Sequence, residues 1–136
     1  MPTLRYRGRG LVEGRGKGRA LVVRGDVSFF GDVDPDTGLL RGLGERVTGR
    51  VLIFRRGRGS TVGSYIIYAL AENKVAPAAM VVVEAEPIVV TGCVLASIPL
   101  VDGVDPGILY EVVSNDIVEV DGSRGEVIVE RPADSI

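Results

Sequence analysis

The stretch from Arg50 to Val83 does most to constrain what this chain can fold into. Arg50-Val51-Leu52-Ile53-Phe54 is a short apolar run of the kind buried on both faces of a sheet. A glycine-rich segment follows, Arg55-Arg56-Gly57-Arg58-Gly59-Ser60, and then Val62, Tyr65, Ile66, Ala69 and Leu70 recur at helical spacing. Ser60 is a good N-cap for that helix, and Pro77 is a stop just past its end. Ala78-Ala79-Met80-Val81-Val82-Val83 reads as a second buried strand, expected to run parallel to the first because a helix crossover separates them.

Shorter elements are expected on either side of this βαβ unit. Residues 1–30 alternate brief Val, Leu and Tyr segments with Gly8, Gly10, Gly14, Gly16 and Gly18, read as two or three strands joined by tight turns, the last reaching Val27-Ser28-Phe29-Phe30. Gly31 to Gly38 is dense in turn formers and is expected to be an exposed loop. Pro87–Ala96 reads as a short helix, Ile98–Val101 as a short strand and Gly107–Val113 as a helical turn. Ile117–Val120 and Glu126–Val129 form a hairpin across Asp121–Gly125. The fold class is α/β: a compact, strand-rich domain with one main helix, spanning residues 1–136 as a single unit.

Composition agrees. There are 23 Val and 9 Ile against 4 Tyr, 3 Phe and no Trp, a balance that favours strands. A charged fraction of 25% argues against disorder, and no apolar run approaches the roughly 20 residues that span a bilayer. Met1–Arg7 has basic residues with no apolar stretch behind them, so no secretory signal and no membrane association are expected, and cytoplasm is the default location. Asn occurs twice and Gln never, compatible with a thermophilic source.

Charge divides unevenly: residues 1–60 carry a net +7 and residues 61–136 a net −9. The arginines are scattered among glycines, with no aromatic stacking platform beside them, so nucleic acid is not the expected partner. A small anionic substrate or an acidic partner fits the basic half better.

The chain contains no His, which removes catalytic triads built on imidazole, His-ligated zinc and imidazole acid–base catalysis together. A single Cys, Cys93, cannot hold an iron–sulfur cluster or a thiolate zinc site and is expected to be a small buried hydrophobe. Asp32, Asp34 and Asp36 lack the central Gly and distant Glu of a calcium loop and read as turn carboxylates. The candidate site is Gly57–Ser64, between a buried strand and a helix start. Backbone amides there point outward, aligned peptide dipoles favour an anion, and Arg55, Arg56 and Arg58 add positive charge. It lacks the Gly-Lys-Ser/Thr of a Walker loop. An anion site and a plain helix cap account for the local sequence equally well.

At these residues the sequence resembles the swivelling small domain of the aconitase superfamily and, more closely, the aconitase X family. The resemblance rests on Val27–Gly31, Val33–Gly38, Arg58-Gly59-Ser60-Thr61-Val62-Gly63-Ser64, Ala76–Ala79 and Ile98–Val101. It implies a β/β/α swivelling domain in which Ser60 is the catalytic base and Gly59, Thr61, Arg58 and Arg55 contact substrate. It implies a large-subunit partner that holds a 4Fe-4S cluster, so that activity exists only in the complex. The implied reaction is loss of water from (R)-5-phosphomevalonate to give trans-anhydromevalonate 5-phosphate, a step of an archaeal mevalonate route to isoprenoids. A hydro-lyase of the same family acting on another hydroxy acid, such as 3-hydroxyproline, and a non-catalytic anion-binding module are the alternatives. In the wider superfamily an Arg after the paired serines clamps a substrate carboxylate. Here that position is Val62, which leaves the clamp to Arg55, Arg56, Arg58 or the large subunit.

Overall fold

The two apolar runs that flank the expected helix become neighbouring parallel strands in the computed structural model, which describes residues 3–132; Met1 and Pro2 of the segment read above as no secretory signal, and residues 133–136, lie outside the described residues. In chain order the first elements are β1 (Thr3–Arg7), β2 (Arg9–Val12), β3 (Arg15–Val22), β4 (Asp26–Val27), α1 (Phe29–Asp32), β5 (Leu39–Leu40) and β6 (Glu45–Arg46). The βαβ unit follows as β7 (Val51–Phe54), β8 (Arg56–Gly57), α2 (Val62–Glu72) and β9 (Ala79–Val82). The chain continues through α3 (Pro87–Ala96), β10 (Leu100–Asp102), α4 (Ile108–Glu111), β11 (Ile117–Asp121) and β12 (Glu126–Glu130).

One sheet carries the order β1-β12-β11-β3-β7-β9-β10-β2. β3 joins its two halves: Arg15–Arg19 pair antiparallel with β11, and Ala20–Val22 pair parallel with β7. β7, β9 and β10 are parallel in register, with Val51 opposite Ala79 and Leu100 opposite Met80. Every side chain of β7 and β9 is buried, because alternate residues serve two cores. Leu52, Phe54, Met80 and Val82 meet Ile67 and Leu70 of α2 and Val89 and Cys93 of α3. Val51, Ile53, Ala79 and Val81 meet the β11–β12 hairpin and α4. The result is three layers, β/β/α, with the aliphatic strands in the middle; fully burying each Val, Leu or Ile there stabilises the fold by about 1.5–3 kcal/mol.

Several local expectations are corrected. Gly16 and Gly18 are not turn residues but lie inside β3, where a Cβ would collide with the carbonyl oxygens of Ala78 and Gly49, so crossing backbone excludes any side chain. Phe29 and Phe30 do not extend a strand: β4 ends at Val27 and the chain turns into the four-residue α1, with the Ser28 amide donating to Asp32 Oδ2 at 2.9 Å. The 31–38 loop is only partly exposed, since Val33 is fully buried and bridges to Leu40. Asp34 Oδ1 accepts from the Asp36 amide, as a turn carboxylate should.

The phase of α2 also differs. Its buried residues are Gly63, Ser64, Ile67 and Leu70, while Tyr65, one of the residues that recur at helical spacing, is 68% exposed. The reason is the second helix. α3 is ten residues long and packs along α2, with Gly92 facing Ile67, Gly63 facing Ile88, and Ser64 Oγ donating to the Ile88 carbonyl at 2.9 Å. Small residues at these crossings let the helices approach closely. None of the helices is long and apolar enough to cross a membrane among the described residues.

Candidate active site

The glycine-rich segment sits where the parallel strands end and the helices begin. β4 and β8 form a two-residue parallel pair, Asp26 opposite Arg56 and Val27 opposite Gly57, and the Arg58 amide continues it by donating to the Val27 carbonyl at 3.0 Å. This pairing lays Ser28 alongside the loop. Gly59 has φ +105°, a conformation that L side chains rarely adopt, and a Cβ there would come 3.0 Å from Ser28 Oγ. Ser28 was visible in sequence only as part of a motif; its position beside Gly59 depends on a strand pair too short to signal itself.

Ser60 is exposed, and its capping differs in detail from the expected form. The helical N-cap position falls on Thr61, which has helical backbone angles and makes no side-chain cap. Ser60 acts one residue earlier: its Oγ accepts from the Val62 amide at 3.2 Å and its carbonyl accepts from the Gly63 amide at 2.9 Å. The hydroxyl therefore serves as an acceptor, and its own O–H donates to no group among the described residues. The amides of Gly59, Ser60 and Thr61 have no hydrogen-bond partner among the described residues. The Ser60 hydroxyl thus lies at the positive end of α2 with one amide already on it and three unpaired amides in the same loop, an arrangement that lowers the cost of negative charge on oxygen.

The arginines separate into two kinds. Arg56 is engaged by Asp26 at 3.6 Å and Glu84 at 3.5 Å. Arg55 and Arg58 are exposed and make no ion pair among the described residues. Arg58 borders an open groove of about 450 Å³ that also receives Asp26, Glu84 and Glu86, so its charge is mixed rather than uniformly basic. Gly57 is buried, and a Cβ there would strike Glu86 Oε1 and Val89, so the missing side chain lets the loop pack against the start of α3. Glu86 is the N-cap of α3, accepting from the amides of Ile88 at 3.0 Å and Val89 at 3.1 Å, with Pro87 at the first helical position.

The remaining candidates take structural roles. Cys93 is fully buried, its Sγ 3.6 Å from Met80 Sδ, and burial pushes its thiol well above the usual range. Away from the loop, Arg131 pairs with Asp116 at 2.9 Å in a groove beside β1 and β12; burial alone would raise the Asp116 carboxyl, but Arg131 and the Val113 amide hold it below its usual range.

Fold and loop together define a class: a β/β/α domain that presents the Ser60 hydroxyl and unpaired amides at a helix start and brings neither imidazole nor reachable thiol. The chain belongs to the aconitase X swivel domain family, which matches residues 5–129. A chain of Aeropyrum pernix named phosphomevalonate dehydratase small subunit is 52% identical over 130 residues, 90% of this chain and 97% of that relative. Its namesake in Thermococcus sibiricus is 48% identical over 132 residues, 93% of this chain and 99% of the relative. The crystal structure of Thermococcus kodakaraensis aconitase X in its holo-form superposes with a TM-score of 0.87 at 44% identity, covering 93% of this chain and 98% of that one.

Proposed function

We propose that this chain is the small subunit of a phosphomevalonate dehydratase, a hydro-lyase of archaeal isoprenoid synthesis, and that Ser60 is its base. The carrying observation is an exposed Ser60 hydroxyl that accepts from the Val62 amide beside three unpaired amides. Relatives spanning nearly the whole chain bear this name, which favours phosphomevalonate over another hydroxy acid.

Dehydration removes a proton from the carbon beside the substrate carboxylate while the neighbouring tertiary hydroxyl departs. The ionised Ser60 Oγ takes that proton, and the electron pair left behind becomes the new double bond as the C–O bond breaks. An alkoxide at this position is stabilised by the Val62 amide and by the dipoles of α2, as oxyanion donors stabilise charge elsewhere. We assign the Gly59 and Thr61 amides, with Arg58 and Arg55, to the substrate's anionic groups. We assign receipt of the departing hydroxide to the partner subunit; the proton gained by Ser60 Oγ is then released to solvent, which completes the water removed and restores the ionised serine. An aconitase-type dehydratase implies an iron–sulfur cluster, and the described residues offer no ligand set for one: Cys93 is sealed in the core, and no group of three or more His, Cys, Asp or Glu is placed to hold a metal. We assign the cluster to the large subunit, and cytoplasm as the place of assembly.

The test is to mix the purified chain with the large subunit, reconstitute anaerobically and follow loss of phosphomevalonate. Ser60→Ala lowers turnover by about 10²–10⁴-fold, the usual contribution of a positioned base, while the subunits still assemble. Full turnover in that variant removes Ser60 from the chemistry.

A further inference from the structure

The outer side of α2 and α3 is unlike a face built for water. Across the eleven residues of α2 and the ten of α3 the only charged side chain is Glu72, at the far end of α2, in a chain that is 25% charged overall. α3 is apolar all round, the mark of a helix covered on every side. Here part of it is bare, with Val94 57% and Leu95 50% exposed, and Leu95 lines one groove with Tyr65. Between the helices runs a groove of about 260 Å³ lined by Tyr65, Ile88, Thr91 and Leu95, and it opens at Thr61, next to Ser60.

That continuity identifies the occupant. A surface laid on this groove reaches the Ser60 loop, so it must belong to the body that delivers substrate there. A second copy of this chain brings no group able to receive the departing hydroxide and would seal the loop. We propose that the exposed side of α2 and α3 is the seat of the large subunit, an inference that rests on the small-subunit reading above. Two helices about 16 Å long, side by side, present roughly 300 Å², well short of the about 800 Å² a side found in stable complexes. The contact therefore extends beyond the helix layer, and the exposed Phe30 and the 55–61 loop adjoin its Ser60 end. Tyr65 and Leu95 are its central anchors.

The experiment measures affinity of the full chain for the large subunit by sedimentation or calorimetry, with hydrogen exchange on the complex. Tyr65→Glu and Leu95→Glu each weaken binding by about 30-fold or more, as loss of an interface anchor does, with unchanged circular dichroism and melting temperature. Binding protects the amides of α2 and α3. Arg124→Glu, in the turn of the β11–β12 hairpin that packs in the core away from α2 and α3, binds as the unaltered chain does. If the unaltered chain binds and both folded surface variants bind equally well, with no new protection in α2 or α3, the docking face is wrong while the small-subunit reading stands. If the unaltered chain fails to bind at all, that reading falls and this inference with it. An isolated chain that dimerises through Tyr65 and Leu95 overturns the assignment in favour of a second copy.

Discussion

α2 and α3 begin side by side at the same edge of the sheet, yet their first turns are finished differently. α3 opens with a carboxylate that accepts from two of its amides and a proline that removes another donor. In α2 the first-turn amides are also met, Val62 by Ser60 Oγ, Gly63 by the Ser60 carbonyl and Ser64 by the Thr61 carbonyl, but the exposed loop that enters the helix leaves the amides of Gly59, Ser60 and Thr61 without a partner among the described residues. A closed terminus serves the fold, holding the loop against Gly57. An open one stores donors for something that arrives later. The contrast shows why a capping serine in sequence does not by itself reveal its purpose: the number of donors left over decides it.

The comparison is broken most severely at the hydroxyl. Ser60→Ala is expected to cut turnover by about 10²–10⁴-fold while costing about 0.5–2 kcal/mol of stability, the loss of one cap. Glu86→Ala is its mirror image. It leaves the Ile88 and Val89 amides without their charged acceptor and lowers stability by about 2 kcal/mol, read as a fall in melting temperature; Ser60 stays in place, so residual turnover per folded molecule survives. A Glu86→Ala chain as stable as the original would show that α3 does not depend on its cap. Gly59→Ala lies between, since forcing a Cβ at positive φ costs about 1–3 kcal/mol and pushes Ser28 away from the loop. Both stability and turnover drop, and a variant with neither effect would remove the strained turn from the site.

The smallest effect, away from both helix starts, comes from pH. Asp116 is held below its ordinary pKa in the folded state by Arg131 and the Val113 amide, against the opposing effect of burial. Its contribution is therefore fully present above the unfolded value of about 3.9 and is lost as pH falls below that towards the folded value. Melting temperature should fall across that acid range, and Asp116→Asn should flatten the profile. Identical profiles for the two chains would count against the pairing.

Much of the centre was legible because the signal is local. The short apolar runs at Val51–Phe54 and Ala79–Val82, bounded by glycine and proline and rich in β-branched residues, read as strands buried on both faces, and the alternation of Ile117–Val120 with Glu126–Val129 leaves one hairpin register. The Gly59-Ser60 loop was legible as a place, through its residue types, but its partners were not. Ser28 reaches it through β4, a strand of two residues. Gly16 and Gly18 resembled turn signals because the backbone that forbids their side chains, at Ala78 and Gly49, is far away in sequence. The phase of α2 failed for a different reason. Where nearly every position is apolar, periodicity reports that a helix exists but cannot say which side faces in, and the side chosen depended on small residues meeting α3.

Cys93 offers a use for the molecule as its own gauge. Its sulfur lies against Met80 with no exposed surface, and burial keeps it in the unreactive protonated form. A maleimide can therefore attack only during moments when α3 lifts from the sheet, and the pace of labelling counts those moments. One native atom thus reports breathing of the helix layer, without any probe having been added.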